Sequence, residues 1–223
     1  MLGLLVPSIA NPMYGAMARA IESAAQANHG HRVVLGNTYR DPEQESSYLD
    51  DLLSHGVRGA ILVSSLAYEE HLRSAIGRGL VAVSYDRRQV GPVDMQVDHV
   101  SVDNVQAGAL AAGHLLELGH RHLAFAMPSG MTMSRADKIQ GFEAAVAAAN
   151  ATSQVFVGNS VSEYGDAEIA EIGCALAREI ANARPRPTGV VAVNDMLDPS
   201  VATSEFLFPP TLVVRESSGP LAS

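Results

Sequence analysis

Polar groups able to hold hydroxyls stand where several apolar runs of the sequence stop. Ser64 and Ser65 follow residues 59–63 (GAILV). Asp86 and Arg87 follow the run at 80–83. Asn194 and Asp195 follow residues 189–193 (GVVAV), and Arg135 lies in a loop ahead of a helical pattern. Carboxylates and amides can each hold two hydroxyls in fixed directions, so this set suits a polyhydroxylated ligand. Taken singly, each is better read as a helix N-cap or a loop hydrogen bond. Their joint placement at strand ends is what points to a ligand.

Other chemical motifs have plainer explanations. Residues 77–82 (GRGLVA) match G-x-G-x-x-A, but the string follows a helix and precedes a strand, the reverse of a dinucleotide fingerprint. A glycine-rich turn accounts for it. No P-loop and no G-x-S-x-G elbow occurs. His114, His120 and His122 lie close together, yet no carboxylate or further ligand at fixed spacing joins them, so they read as structural or surface histidines and no metal is expected. Cys174, beside Ile172, Ala175 and Leu176, reads as a small buried hydrophobe. A single cysteine excludes an intrachain disulfide framework. With no nucleophile–base pair and no cofactor fingerprint, neither catalysis nor a cofactor is expected.

The elements that must position the polar groups alternate. Apolar runs at 2–6, 32–36, 59–63 and 80–83 are separated by helical patterns at 14–28, from 42 to Gly56, and at 69–78. A polar stretch, 87–99, follows. A second series then runs strand 100–102, helix to Leu118, strand 122–126, helix 134–149, strand 155–157, helix 167–183 and strand 189–193. Near-continuous apolar strands between amphipathic helices predict parallel sheets covered on both faces. Crossover handedness makes each doubly wound, with ligands outside the carboxyl ends of the strands. The fold class expected is α/β, as two doubly wound parallel-sheet lobes joined by crossover strands. The lobes would span 1–99 and 100–214, with 215–223 returning toward the first.

Composition narrows the function. The chain has 223 residues, 47% hydrophobic and 17% charged, enough for a core and too little charge for disorder. Its formal charge is −9, so it is a poor direct binder of phosphate backbones. No apolar run approaches the roughly 18 residues of a membrane helix. The first strand begins at Leu2 with no basic segment before it, so no secretory signal is expected.

Four stretches carry a family resemblance: residues 2–14 (LGLLVPSIANPMY), 34–63, 100–125 (VSVDNVQAGALAAGHLLELGHRHLAF), and 135–142 (RADKIQGF) together with 190–196 (VVAVNDM). Over most of residues 1–197 the chain resembles the effector-binding domain of the LacI/GalR transcriptional regulators, of the type I periplasmic-binding-protein fold. The resemblance implies a cytoplasmic sensor without catalysis. A small metabolite, most often a sugar, binds between two lobes and alters a homodimer that presents DNA-binding headpieces. The helix-turn-helix that would meet operator DNA is not in this chain.

Carried over by position, the ligand contacts are Met13, Tyr14, Ser65, Asp86 and Arg87 from the first lobe and Arg135, Ser160 and Asp195 from the second. Tyr14 would stack on a sugar face. Met13 and Ser160 stand where the family often has aromatics, which favours a sugar over a planar base. The resemblance breaks between Leu197 and about Val201, where the family has a helix, a strand and an Asp-containing loop, and resumes at 202–214. A solute-binding protein serving a transporter has the same fold and is the alternative. The LGHR turn at 118–121 and the lack of a signal sequence favour the regulator.

Overall fold

The computed structural model describes residues 1–63, 70–86, 97–159 and 170–194. They divide into two compact units, Met1–Ser101 and Val102–Ser223.

The first unit is built on a five-stranded parallel sheet of order β2-β1-β3-β4-β5. Its strands are β1 (Leu2–Val6), β2 (Val33–Asn37), β3 (Gly59–Leu62), β4 (Val81–Tyr85) and β5 (Val97–Val100). Successive side chains alternate between faces, which decides what covers each one. Leu4, Val6, Ile61 and Val63 pack with Met13, Tyr14, Met17 and Ile21 of α1 (Pro12–His29). Leu5, Ala60, Leu62 and Ala82 pack with Leu49, Leu52 and Leu53 of α2 (Pro42–Ser54) and with Leu72 and Ala75 of α3 (Glu70–Gly77). The inner strands are thus covered on both faces, whereas β2, at one edge, leaves Val34 and Leu35 exposed.

Punctuation in the sequence sets the helix starts. Asn11 caps α1, accepting from the Met13 amide at 3.0 Å, and Asp41 caps α2, accepting from Glu43 at 2.9 Å. A proline follows each cap, where its missing N–H costs nothing. Gly30 closes α1 in the left-handed region (φ 62°).

The second unit holds a three-stranded parallel sheet of order β7-β6-β8: β6 (His122–Pro128), β7 (Thr152–Gly158) and β8 (Gly189–Ala192). Its helices are α4 (Asn104–Glu117), α5 (Met133–Ala148) and α6 (Ala170–Asn182). One core joins Leu123, Phe125 and Met127 of β6 to Ala112 and Leu115, Phe142 and Val146, and Ile172, Leu176 and Ile180. Phe125 and Phe142 meet edge to face, with ring centroids 5.3 Å apart. Helices α4 and α5 touch through their backbones at Gly108 and Gly141. A Cβ on Gly108 would overlap the Lys138 carbonyl, and one on Gly141 the Val105 carbonyl.

The α/β class with parallel sheets is as the sequence implies. Three local readings are corrected. The strand expected at 100–102 is β5, Val97–Val100, and it pairs with β4 in the first sheet. It lies inside the stretch read as polar because it is an edge strand, with Asp98 and Val100 exposed and Val97 alone packed on the core. Cys174 is exposed rather than buried. Ile172, Leu176 and Ile180 mark the inward stripe of α6, and Cys174, two residues from the first two, falls on the opposite side. Arg135 lies within the first turn of α5, not in the loop before it. The interruption of the family pattern at 197–201 falls outside the described residues.

Candidate functional site

In the first unit the described residues among the expected ligand contacts, Met13, Tyr14 and Asp86, each lie beyond the carboxyl end of a strand. Met13 and Tyr14 occupy the first turn of α1, just beyond the end of β1. Tyr14 is buried (6% exposed), its ring in the cluster with Leu4, Val6 and Val63, so the phenol hydroxyl rather than a ring face is its polar offering. Asp86 follows β4 directly. It holds a left-handed backbone (φ 62°), uncommon for a residue with a side chain, and its amide donates to the Val100 carbonyl at 2.9 Å. That bond ties the end of β4 to the end of β5 and fixes where the carboxylate leaves the sheet.

Tyr85, the last residue of β4, titrates above the usual tyrosine value of 10.0. Burial is the larger cause and the Asp86 carboxylate the second. Both disfavour the phenolate in the folded state. Stability is therefore intact below pH 10.0 and falls as pH rises from there through the folded-state value. Chemical denaturation across that alkaline range should show Tyr85→Phe losing less stability than the parent. Equal losses would disprove this account of Tyr85.

In the second unit Arg135 is 3% exposed, although it carries a guanidinium. Its Nη1 donates to the carbonyls of Ser129 (3.1 Å) and Gly130 (2.5 Å), and its amide donates to the Thr132 hydroxyl that caps α5 (3.2 Å). The guanidinium thus braces the loop that leaves β6, and the loop holds it at the carboxyl end of that strand. Buried cations need such partners. Ser65, Arg87, Ser160 and Asp195 lie outside the described residues.

The sequence reading missed two cations here. Arg40, after β2, directs Nη2 to the Tyr14 hydroxyl at 3.3 Å. Lys138, one turn beyond Arg135 on α5, directs Nζ to the Val193 carbonyl at 3.4 Å, just past β8. The signal for Lys138 was its i+3 spacing from Arg135, which puts both on one helical side. Arg40 had none, because its direction follows from a turn.

The histidines sit elsewhere. His122, the first residue of β6, donates from Nε2 to the Pro185 carbonyl (3.0 Å), and its Nδ1 lies 2.6 Å from the Thr152 hydroxyl. His120 is buried, with Nδ1 at 3.1 Å from the Thr188 hydroxyl. Both belong to the amino-terminal end of the second sheet. Among the described residues no group of three or more His, Cys, Asp or Glu could hold a metal ion, and no helix is long and apolar enough to cross a membrane.

Comparison with known proteins places this arrangement. Residues 1–196 match the family model described as periplasmic binding proteins and the sugar binding domain of the LacI family. The chain belongs to this family. DegA of Bacillus subtilis, an HTH-type transcriptional regulator, is 29% identical over 203 residues, covering 88% of this chain and 56% of its own length. The ribose operon repressor of Halalkalibacterium halodurans is 36% identical over 148 residues, covering 66% and 42%. This chain spans about half the length of the curated relatives it matches. Among solved structures, a LacI family regulator from Enterococcus faecium with bound ribose is 27% identical with a TM-score of 0.71, over 88% of this chain and 68% of that one. The Cra regulator of Pseudomonas putida, in complex with fructose 1-phosphate, shares the fold at 21% identity and a TM-score of 0.75, over 88% and 69%.

Proposed function

We propose that this LacI-type domain binds a small hydroxyl-rich metabolite, a sugar, and that occupancy is coupled allosterically to DNA binding by a helix-turn-helix outside this chain. The domain works in the cytoplasm as a homodimer and catalyses nothing. Met13, Tyr14, Ser65, Asp86 and Arg87 contact the ligand from the first unit, and Arg135, Ser160 and Asp195 from the second. Asp86 and Asp195 accept hydroxyls, and Arg135 donates.

The observation that carries this reading is the buried Arg135 guanidinium, held by the Ser129 and Gly130 carbonyls at the end of β6. Those bonds fix it at the carboxyl end of a strand, where open parallel sheets take ligands. Membership of the family and the regulators among its relatives support the sensor role, and no observation favours the solute-binding alternative.

A thermal-shift panel of sugars, polyols and nucleosides tests it. Binding stabilises the folded state by RT ln(1 + [L]/Kd), about 2.7 kcal/mol at a hundredfold excess over Kd. At least one sugar should raise the melting temperature, and Arg135→Ala should abolish that rise. An unchanged ligand-induced rise in the variant removes Arg135 from the site. No response to any sugar or polyol refutes the sugar reading.

A further inference from the structure

We infer that Asn37 is a positioning residue. Its side chain extends the β1–β2 ladder into the loop at residues 7–11 and so sets the first turn of α1, where Met13 and Tyr14 contact the ligand. This rests on the reading of the domain as a sugar sensor and adds what holds those two contacts in place.

The ladder between β1 and β2 ends at the pair Val6 and Asn37. The backbone carries it two bonds further. The Thr38 amide donates to the Val6 carbonyl (2.8 Å) and the Tyr39 amide to the Pro7 carbonyl (2.9 Å). The two chains then part, one toward α1 and the other toward α2. Asn37 spans the next step with its side chain, its Oδ1 accepting from the Ile9 amide at 3.1 Å. Past Ile9 the loop bonds to itself. The Ala10 amide donates to the Ser8 hydroxyl (3.2 Å), the Asn11 amide to the Ser8 carbonyl (3.2 Å) and the Met13 amide to the Asn11 side chain that caps α1 (3.0 Å). Among these described loop amides, Ile9's alone is held from outside the loop.

The turn after β2 is stiff enough to serve as a brace. Thr38 is buried, and its hydroxyl also donates to the Val6 carbonyl (3.3 Å). The Asp41 amide returns to the Thr38 carbonyl (2.8 Å), and Tyr39 and Arg40 between them hold left-handed backbones, φ 51° and 59°. Two such residues in succession without glycine persist only where neighbouring bonds fix them. Arg40 adds its bond to the Tyr14 hydroxyl. The turn thus grips the segment from β1 to α1 at its start, its middle and its far end. The middle is the weak point. The Ile9 side chain is 50% exposed and does little to hold the loop, so the bond to Asn37 decides where the loop lies. A loop already in place spares the ligand the cost of ordering it, and contacts left about 1 Å loose lose much of their worth.

Amide hydrogen exchange and titration calorimetry on the full chain test this together, with D-ribose titrated first and then the panel sugar of largest thermal shift. Asn37→Ala should speed exchange at residues 8–11 by about fivefold or more, with β1 as protected as in the parent. The same variant should bind the sugar about fivefold to tenfold more weakly, while its urea midpoint stays near the parent's. Asn37→Asp keeps an acceptor oxygen in the same place and should restore most of both. Gln26→Ala, at an exposed position of α1, should change neither. Parent-like affinity in Asn37→Ala overturns the inference and leaves the sensor reading standing. So does a loss that Asn37→Asp fails to relieve, or a loss without faster exchange in the loop, which would make Asn37 a direct contact. Binding of no sugar sinks the sensor reading, and the inference with it.

Discussion

Gly141→Ala should lower the stability of the second unit by about 3 kcal/mol or more, a larger loss than most single substitutions produce. The added methyl would overlap the Val105 carbonyl, with the Ala109 amide 3.0 Å away on its other side. Both are backbone atoms of α4, so no rotamer change relieves the clash and the helices must separate. Separation would pull Phe142 away from Phe125 and open the core of that unit. Gly108→Ala meets the Lys138 carbonyl from the facing helix and should behave alike. Gly15→Ala is the control. It lies inside α1 with no atom within 4 Å of a new Cβ, and alanine there should be neutral or stabilising by about 0.5–1 kcal/mol. Urea unfolding reads all three through the midpoint. A Gly141→Ala protein within about 0.5 kcal/mol of the parent would show that the helices do not cross this closely.

His71→Leu should cost about 3 kcal/mol by a different route. Glu45 of α2 is 1% exposed, and its Oε1 accepts from His71 Nε2 of α3 at 2.7 Å. Leucine in place of the imidazole leaves a buried carboxylate with that partner gone. Such losses come mostly from the abandoned charge, so the double variant Glu45→Leu/His71→Leu should be the more stable of the two. A double variant no better than His71→Leu would show that the two side chains do not depend on each other. The pair lies near the amino-terminal ends of both helices, so it ties α2 to α3 there.

The strands and helices were legible where burial wrote itself into composition. The runs LGLLV and GAILV are buried on both faces and could be read directly. β5 was not, because an edge strand needs only one inward residue, and Val97 between polar neighbours gives no periodic signal. Cys174 misled because its sequence neighbours are apolar, whereas the helical repeat sends it to the other side of α6. At the site, Asp86 could be named from its place after a strand. The placement of Arg40 could not, since two residues with positive φ send it back across the sheet and nothing in Tyr-Arg-Asp-Pro announces them. Arg135 could be singled out from its place beside a helical pattern, but its anchoring to the Ser129 and Gly130 carbonyls depends on the path of a loop that no spacing encodes.

Each unit keeps an apolar core of its own: Leu5, Leu62 and Leu72 with their neighbours in one, Leu123, Phe125 and Phe142 with theirs in the other. A lesion inside one core therefore need not melt the other. Calorimetry of a damaged variant would resolve two heat-absorption peaks, one displaced and one at its original temperature. Inherited variation in such a chain could then be sorted by which half of the trace it moves.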